Sequence, residues 1–359
     1  MNSIINPGSS EPVQASTAAR CALSVIIVAW NVKGLLRGCL QSLQDDGVPD
    51  WAEVIVFDNA STDGSSRMVE QEFPWARLIR SPQNLGFSRG NNLAIEQAAG
   101  DFILLLNPDT VVHAGTLRRL VEYAETHPEV GVIGPKLYNS DGTVQFEGAV
   151  NFPTAWSVFC DLAFLSRAFP GSRLFCRRKM GFWDHEGDRP VPAISGAAMA
   201  VRREIFDQLG LLDETMFCAE DMDFCKRLRN AGWTVFYLGS TSVVHFGGGS
   251  TSQCANQGLQ RQIAFQSFWL YTRKNRGWLA AAAVTAMVLL WSLGAIAATI
   301  PLAVLFRGNV PRMAKVRRFR DLAASLLVWS VANKKQFRHY LAAPQRKTAA
   351  SNRTTRGSI

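Results

Sequence analysis

The 359-residue chain has no CxxC pair, and its seven cysteines stand at irregular spacing. An odd, scattered set excludes a disulfide framework and a Cys-based zinc site, and free thiols are expected. No GxGxxG follows the first apolar run, so a dinucleotide-binding Rossmann unit has no support. No apolar stretch precedes Leu23. The polar start therefore offers no secretory signal core, and the body is expected to stay in the cytoplasm. There is no internal repeat, and only the last dozen residues, rich in Ser, Thr and Arg, are of low complexity.

Acidic residues almost vanish at the C-terminal end. The net charge is +9, yet the stretch from Arg307 to Ile359 holds thirteen Lys or Arg against one acid, Asp321. That stretch carries +12 and leaves residues 1–306 at −3. Charge of either sign is absent from Gly277 to Phe306, thirty residues in a row. Such a run exceeds the roughly 20 residues that cross a bilayer. A basic segment beside an apolar one favours anionic membrane lipid and not nucleic acid as the partner. Both flanks are basic, with Arg273, Lys274 and Arg276 on one side and the tail on the other. Because basic flanks stay in the cytoplasm, the expectation is a re-entrant or kinked in-plane segment, for which Gly294 and Pro301 offer places to bend, with a single span as the alternative.

From Leu23 onward, short apolar runs alternate with helical stretches. LSVIIVAW, AEVIVF, ARLIRS and FILLLN read as strands; the regions near Lys33–Gln44, Ser65–Glu72 and Asn91–Ala98 read as helices. This alternation predicts an α/β fold with a mostly parallel sheet flanked by helices. Ligands in such sheets sit at the carboxyl ends of the strands. The loops to inspect are therefore Trp30-Asn31, DNASTDGS (58–65) and NPDT (107–110), with NLGFSRGNN (84–92) entering the intervening helix. Residues 140–192 show little period and read as an irregular insertion. PAISGAAMAV (192–201), a strand TVFYL and SVVHFGGGS (242–250) follow.

FCAEDMDFCKRLRNAGW (217–233) places Glu220, Asp221 and Asp223 in or beside the first turn of a helix. The helix dipole favours ionised carboxylates there, so one of them is available as a general base. Phe224 and Leu228 share an apolar face, and Gly232 follows as a C′ glycine. Asp109 lies just past a buried strand, where Pro108 ends the ladder and a carboxylate can hold a divalent cation. His245 ends a strand before three glycines that permit close backbone approach to a ligand.

In this order and spacing, VIIVAWN, DNASTDGS, NLGFSRGNN, LLLNPDT, AEDMDFCKRLRNAGW and SVVHFGGGS resemble glycosyltransferase family 2. These are inverting enzymes of the GT-A fold, a Rossmann-like arrangement, and the likeness is to the bacterial rhamnosyltransferase-like members. It covers about Leu23 to Ser250. The resemblance implies Asp221 as catalytic base. It implies a nucleotide-sugar site formed by Trp30, Asp58, Asn59, Asn84, Arg89, Asn92, Asn107 and Asp109. Ser195, Gly196 and Glu220 would face the acceptor, and Asp109 and His245 would hold Mg²⁺ or Mn²⁺. One departure is that the family's DxD motif reads Asn107-Pro108-Asp109, which gives the metal fewer anionic ligands.

The activity implied is transfer of a sugar, by resemblance L-rhamnose from dTDP-rhamnose, onto a polyprenyl-diphosphate-linked saccharide. The setting would be cell-wall, O-antigen or capsule assembly at the cytoplasmic face of the inner membrane. UDP-galactofuranose or a UDP-hexose is the alternative donor. A nucleotidyltransferase would need a Gly-rich basic loop after the first strand, where VAWNVKGLL stands instead. A non-catalytic sugar- or lipid-binding module is the remaining alternative, although it would have no use for Asp109, Asp221 and His245 together. The expected organisation is residues 1–22 as a disordered N-terminus, 23–250 as the catalytic domain with the 140–192 insertion on its acceptor side, and 251–276 as a linker helix. Residues 277–306 follow as the membrane-associated helical segment and 307–359 as a basic tail on the membrane surface.

Overall fold

The computed structural model describes residues 21–247, 257–307 and 309–331. The expected N-terminal disorder before residue 21, the start of the linker, Gly248 to Ser250 and the tail beyond residue 331 lie outside those residues.

The first half runs β1 (Leu23–Ala29), α1 (Lys33–Asp45), β2 (Ala52–Asp58), α2 (Ser65–Glu72), β3 (Arg77–Arg80), α3 (Phe87–Ile95) and β4 (Phe102–Leu106). Next come β5 (Thr110–Val112), α4 (Thr116–Thr126), β6 (Val130–Tyr138), β7 (Ala149–Val150), α5 (Ala155–Leu162) and α6 (Leu165–Ala168). The chain continues through β8 (Arg189–Pro190), β9 (Ala193–Ile194), β10 (Ala198–Arg202), α7 (Arg203–Leu209), α8 (Glu220–Asn230) and β11 (Thr234–His245). It closes with α9 (Gln257–Leu305) and α10 (Val310–Val331).

The main sheet has the order β3-β2-β1-β4-β10-β6-β11-β5. β3, β2, β1 and β4 are parallel, as the alternation of strands and helices requires. β10 enters antiparallel between β4 and β6, while β6 and β11 are again parallel. Both faces are buried. Val25 and Ile27 of β1 point to a core with Leu36, Leu40 and Leu117. Ile26 and Val28 point to a second core with Phe206, Phe224 and Leu228. This two-sided burial is why β1 reads as an unbroken apolar run.

Two local expectations change. α3 begins at Phe87, four residues before Asn91, because Gly86 takes φ 83°, ψ 173° and turns the loop directly into the helix. The insertion is more regular than its composition suggests: Thr154 and Ser157 form a capping box that starts α5.

α9 is one helical element with a single non-helical residue, Gly277, at φ 84° and ψ 173°. The bend falls where the expected linker meets the apolar segment, and Gly294 and Pro301 sit inside helix instead of breaking it. Gly277 can bend the chain because only glycine enters that region without a Cβ penalty. Among the described residues, one helix, Gln262–Leu305, is long and apolar enough to cross a membrane. α10 returns along it. Trp291 meets Phe319 at 5.8 Å and Phe265 meets Trp329 at 5.8 Å, with Val284, Val288 and Leu326 packed between. The six described cysteines are free.

Candidate active site

The carboxyl ends of β1, β2 and β4 converge on one edge, and their loops are tied to one another. Asn31, at φ 53°, donates its N–H to Ser61 Oγ at 2.9 Å and accepts from the Thr62 N–H at 2.7 Å. Trp30, half-buried, thus sits on a loop held by DNASTDGS. Asp58 accepts from the Ser61 N–H at 3.1 Å and from the Ser66 hydroxyl, so both its oxygens shape that loop. Asn59 joins the next loop by donating to Asn84 Oδ1 at 2.9 Å and accepting from the Leu85 N–H at 2.7 Å.

The two remaining residues of NLGFSRGNN separate. Arg89 is exposed in the first turn of α3 and forms no ion pair among the described residues. Asn92 is buried, and its amide is committed: it donates to the Leu212 carbonyl and Glu214 Oε1, both at 3.0 Å, and accepts from the Leu212 N–H at 3.0 Å. It ties α3 to the segment before α8.

After β4, Asp109 and His245 come together through β5 pairing with the end of β11. His245 Nε2 is 3.4 Å from Asp109 Oδ1 and 3.2 Å from Asn107 Nδ2. On the other side of the ring, Nδ1 is 2.7 Å from Gln145 Oε1. An amide oxygen only accepts, so Nδ1 carries the proton and Nε2 presents its lone pair toward Asp109. Gln145 lies in the insertion and has no motif to mark it. Among the described residues no group of three His, Cys, Asp or Glu exists that would enclose a metal alone. The pair fits a hard divalent cation that takes its other oxygens from diphosphate and water.

The opposite wall is the first turn of α8. Ala219 at φ 76° turns the chain into the helix, and Glu220, Asp221 and Asp223 follow. Asp221 Oδ2 accepts from the Gly196 N–H at 2.9 Å, and Oδ1 accepts from the Met222 N–H at 2.7 Å. Burial pushes the Asp221 carboxyl above its usual range, and the N–H groups of Gly196 and Met222 pull it partly back. Glu220 is buried with Oε2 unpartnered; burial, and then the Asp221 charge, hold it well above the ordinary carboxylate range. Burial thus favours the neutral form of both carboxyls, and Asp221 is the one that also receives N–H donors from Gly196 and Met222. Asp223 is fully buried and bonded to Arg227 at 3.0 Å and Lys274 at 2.9 Å, which removes it as a rival base.

Residues 195–197 connect the two walls. The Gly196 N–H holds Asp221, and the Asn107 N–H donates to the Ala197 carbonyl at 2.9 Å. The Ser195 N–H bonds the Gly148 carbonyl at 3.0 Å, rooting this segment in the insertion. Phe87, which no motif reasoning singled out, borders Gly196: a Cβ built there would lie 3.7 Å from its ring. Ser267 and Lys274 of α9 also reach this region, although the sequence gives residues 251–276 only the look of a linker.

The family model for glycosyl transferase family 2 matches residues 24–210. The N-acetylglucosaminyl-diphospho-decaprenol L-rhamnosyltransferase of Mycobacterium tuberculosis is 29% identical over 241 residues, which are 63% of this chain and 77% of that protein. The O-antigen biosynthesis protein RfbC of Myxococcus xanthus is 29% identical over 266 residues, 72% of this chain and 19% of its own. Among solved structures, the mannosyltransferase PcManGT from Pyrobaculum calidifontis, in complex with GDP-Man and Mn2+, superposes with a TM-score of 0.52 at 18% identity. That match covers 88% of this chain and 87% of PcManGT, and it establishes a shared fold. The chain belongs to glycosyl transferase family 2 and is a glycosyltransferase of the GT-A fold.

Proposed function

We propose that this enzyme transfers L-rhamnose from dTDP-rhamnose, with inversion, onto a saccharide carried on a polyprenyl diphosphate. The observation that carries the reading is the bridge through residues 195–197, which fixes Asp221 and Asn107-Pro108-Asp109 across one site. A base on one wall and a diphosphate-side carboxylate on the other suit a single in-line displacement. Asp221 takes the proton of an acceptor hydroxyl as its oxygen forms a bond to the anomeric carbon. The bond from that carbon to the diphosphate oxygen breaks on the opposite face, and the nucleoside diphosphate leaves with the electron pair. One displacement and no enzyme-linked sugar mean inversion.

Asp109 and His245 are the residues that would hold Mg²⁺ or Mn²⁺, which when bound neutralises charge on the departing diphosphate. Trp30, Asp58, Asn59 and Asn84 form the base side of the donor site, and the exposed Arg89 offers a guanidinium to phosphate. Asn92 acts through α3 by positioning it. Ser195, Gly196 and Glu220 form the acceptor side, where burial favours the neutral, hydrogen-bond-donating form of Glu220.

The donor and acceptor are supported by the likeness to the mycobacterial L-rhamnosyltransferase, and the lipid-linked acceptor also by the apolar helical hairpin. The hairpin supports membrane contact with both flanks on the cytoplasmic side, since α10 brings the chain back toward the catalytic domain. Anionic lipid suits the basic stretch. Holding the enzyme at the surface raises its effective concentration near a lipid-linked acceptor.

The test is product formation by the purified chain in detergent, with a short polyprenyl-diphosphate disaccharide, Mg²⁺ and a panel of nucleotide sugars. Transfer from dTDP-rhamnose alone is expected. Transfer from UDP-galactofuranose or a UDP-hexose instead would reassign the donor.

A further inference from the structure

The insertion carries a surface that the transfer reaction does not use. Trp156, Phe159, Phe164, Phe169 and Leu174 are 43%, 37%, 38%, 52% and 57% exposed. Three of them are linked through their rings: Trp156 meets Phe159 at 5.5 Å and Phe175 at 6.2 Å, and Phe175 meets Phe169 at 5.3 Å. The Trp156 indole N–H donates to the Leu174 carbonyl at 2.9 Å and pins α5 to the following loop. A patch of this kind on a soluble surface marks a contact site.

Its charge is one-sided. Between Ala155 and Arg178 the one acid is Asp161, and it is bonded to Arg178 at 2.9 Å and to the Ser166 hydroxyl at 2.7 Å. Arg167, Arg173 and Arg177 are exposed around the aromatic side chains. Aromatic rings with arginines suit the headgroup level of an anionic bilayer. A second copy of the chain suits it less, because self-pairing sets these arginines against one another.

The patch is continuous with the apolar hairpin. Leu162 packs with Val284, Val288, Leu326 and Trp329, and Phe164 meets Phe319 at 6.1 Å. It is also rooted at the acceptor wall. The Asn151 N–H bonds the Arg178 carbonyl at 2.7 Å, closing the excursion beside β7, and β7 pairs with β9 just before Ser195.

We propose that residues 155–178 form a platform that lies on an anionic bilayer surface, with the rings at the headgroup level and the three arginines on lipid phosphates. The platform deepens the membrane-acceptor reading given above and rests on it. It turns the β7–β9 side of the site toward the bilayer from which a lipid-linked acceptor emerges.

The test is hydrogen–deuterium exchange of the full chain reconstituted in vesicles of phosphatidylethanolamine with phosphatidylglycerol, compared with phosphatidylcholine vesicles. This readout needs no turnover, so its failure is distinct from failure of the transferase reading. Amides of 155–178 are expected to be slowed in the anionic vesicles and released in the Phe159→Ser/Phe169→Ser variant. The same variant is expected to lose about tenfold or more in kcat/KM for a vesicle-embedded acceptor, given the apolar area of two phenylalanine rings. It keeps its rate on a short acceptor in detergent. Equal exchange in both vesicles overturns the proposal. So does protection in detergent that grows with protein concentration, which assigns the patch to a second copy.

Discussion

The backbone N–H of Gly196 donates to Asp221 Oδ2 at 2.9 Å, across 25 residues of chain. This bond fixes the carboxylate against the segment that also receives the Asn107 N–H, so the proposed base and the Asn107-Pro108-Asp109 loop share one support. An ionised Asp221 is favoured by that donor and disfavoured by burial, and burial is the larger influence.

The first consequence is a pH profile. A base works only when deprotonated, and Asp221 is held above the usual Asp value of about 3.9. Activity is therefore present above the raised pKa and lost as pH falls through it. The acid limb of kcat/KM is expected at higher pH than an ordinary aspartate would give. Because Asp221 and not Glu220 is the proposed base, Glu220→Gln should keep that limb in place and cost far less rate than Asp221→Asn. A limb that disappears in Glu220→Gln would give the base role to Glu220.

Gly196→Ala probes the space beside the base. The added Cβ lies 3.6 Å from Asp221 Cβ and 3.7 Å from the Phe87 ring, which is ordinary contact, so folding is expected to be unaffected. On the proposed reading the methyl occupies volume on the acceptor side of the site. One methyl group in a binding site is worth about 10–200-fold, and a rise in acceptor KM toward that range is predicted. An unchanged acceptor KM, with donor KM altered, would place the acceptor elsewhere.

Ser267 of α9 acts on the base from a distance. Its buried hydroxyl accepts from the N–H groups of Phe217 at 3.0 Å and Cys218 at 3.2 Å, the residues before the turn at Ala219. Ser267→Ala strands two donors, at about 1–3 kcal/mol each. Melting temperature should fall. If about 1.4 kcal/mol of that loss appears in positioning, kcat drops about tenfold. A folded variant with normal kcat would mean that α9 merely packs against the domain.

Gln145 orients His245, and its removal tests the cation site. Gln145→Ala is expected to weaken Mn2+ binding measured by calorimetry in the presence of dTDP by about 10–100-fold, the usual cost of losing such an orienting bond. Unaltered Mn2+ affinity would separate His245 from the cation.

The strands and most helices were legible because both faces of the sheet are buried, which writes apolar runs such as Val25 to Val28 directly into the sequence. The acidic turn of α8 and the NPD loop were legible as local motifs. Long-range partners were not. Gln145 lies 100 residues from His245 and Ser267 lies 50 from Phe217, so neither pairing leaves a local pattern. Asn92 falls in a motif, yet its amide spends its bonds on Leu212 and Glu214, a use that only the packing of α3 reveals. Asp223 is similar: it resembles a second base until Lys274, three residues before the bend at Gly277, is seen to pair with it.

The most direct measurement is the single-turnover rate of sugar transfer by wild type and Asp221→Asn, with product configuration read at the anomeric carbon by NMR. The account predicts an inverted product and a loss of about 10²–10⁴ in rate in the variant, with its fold intact. Near-normal transfer by Asp221→Asn, or a product of retained configuration, would contradict it.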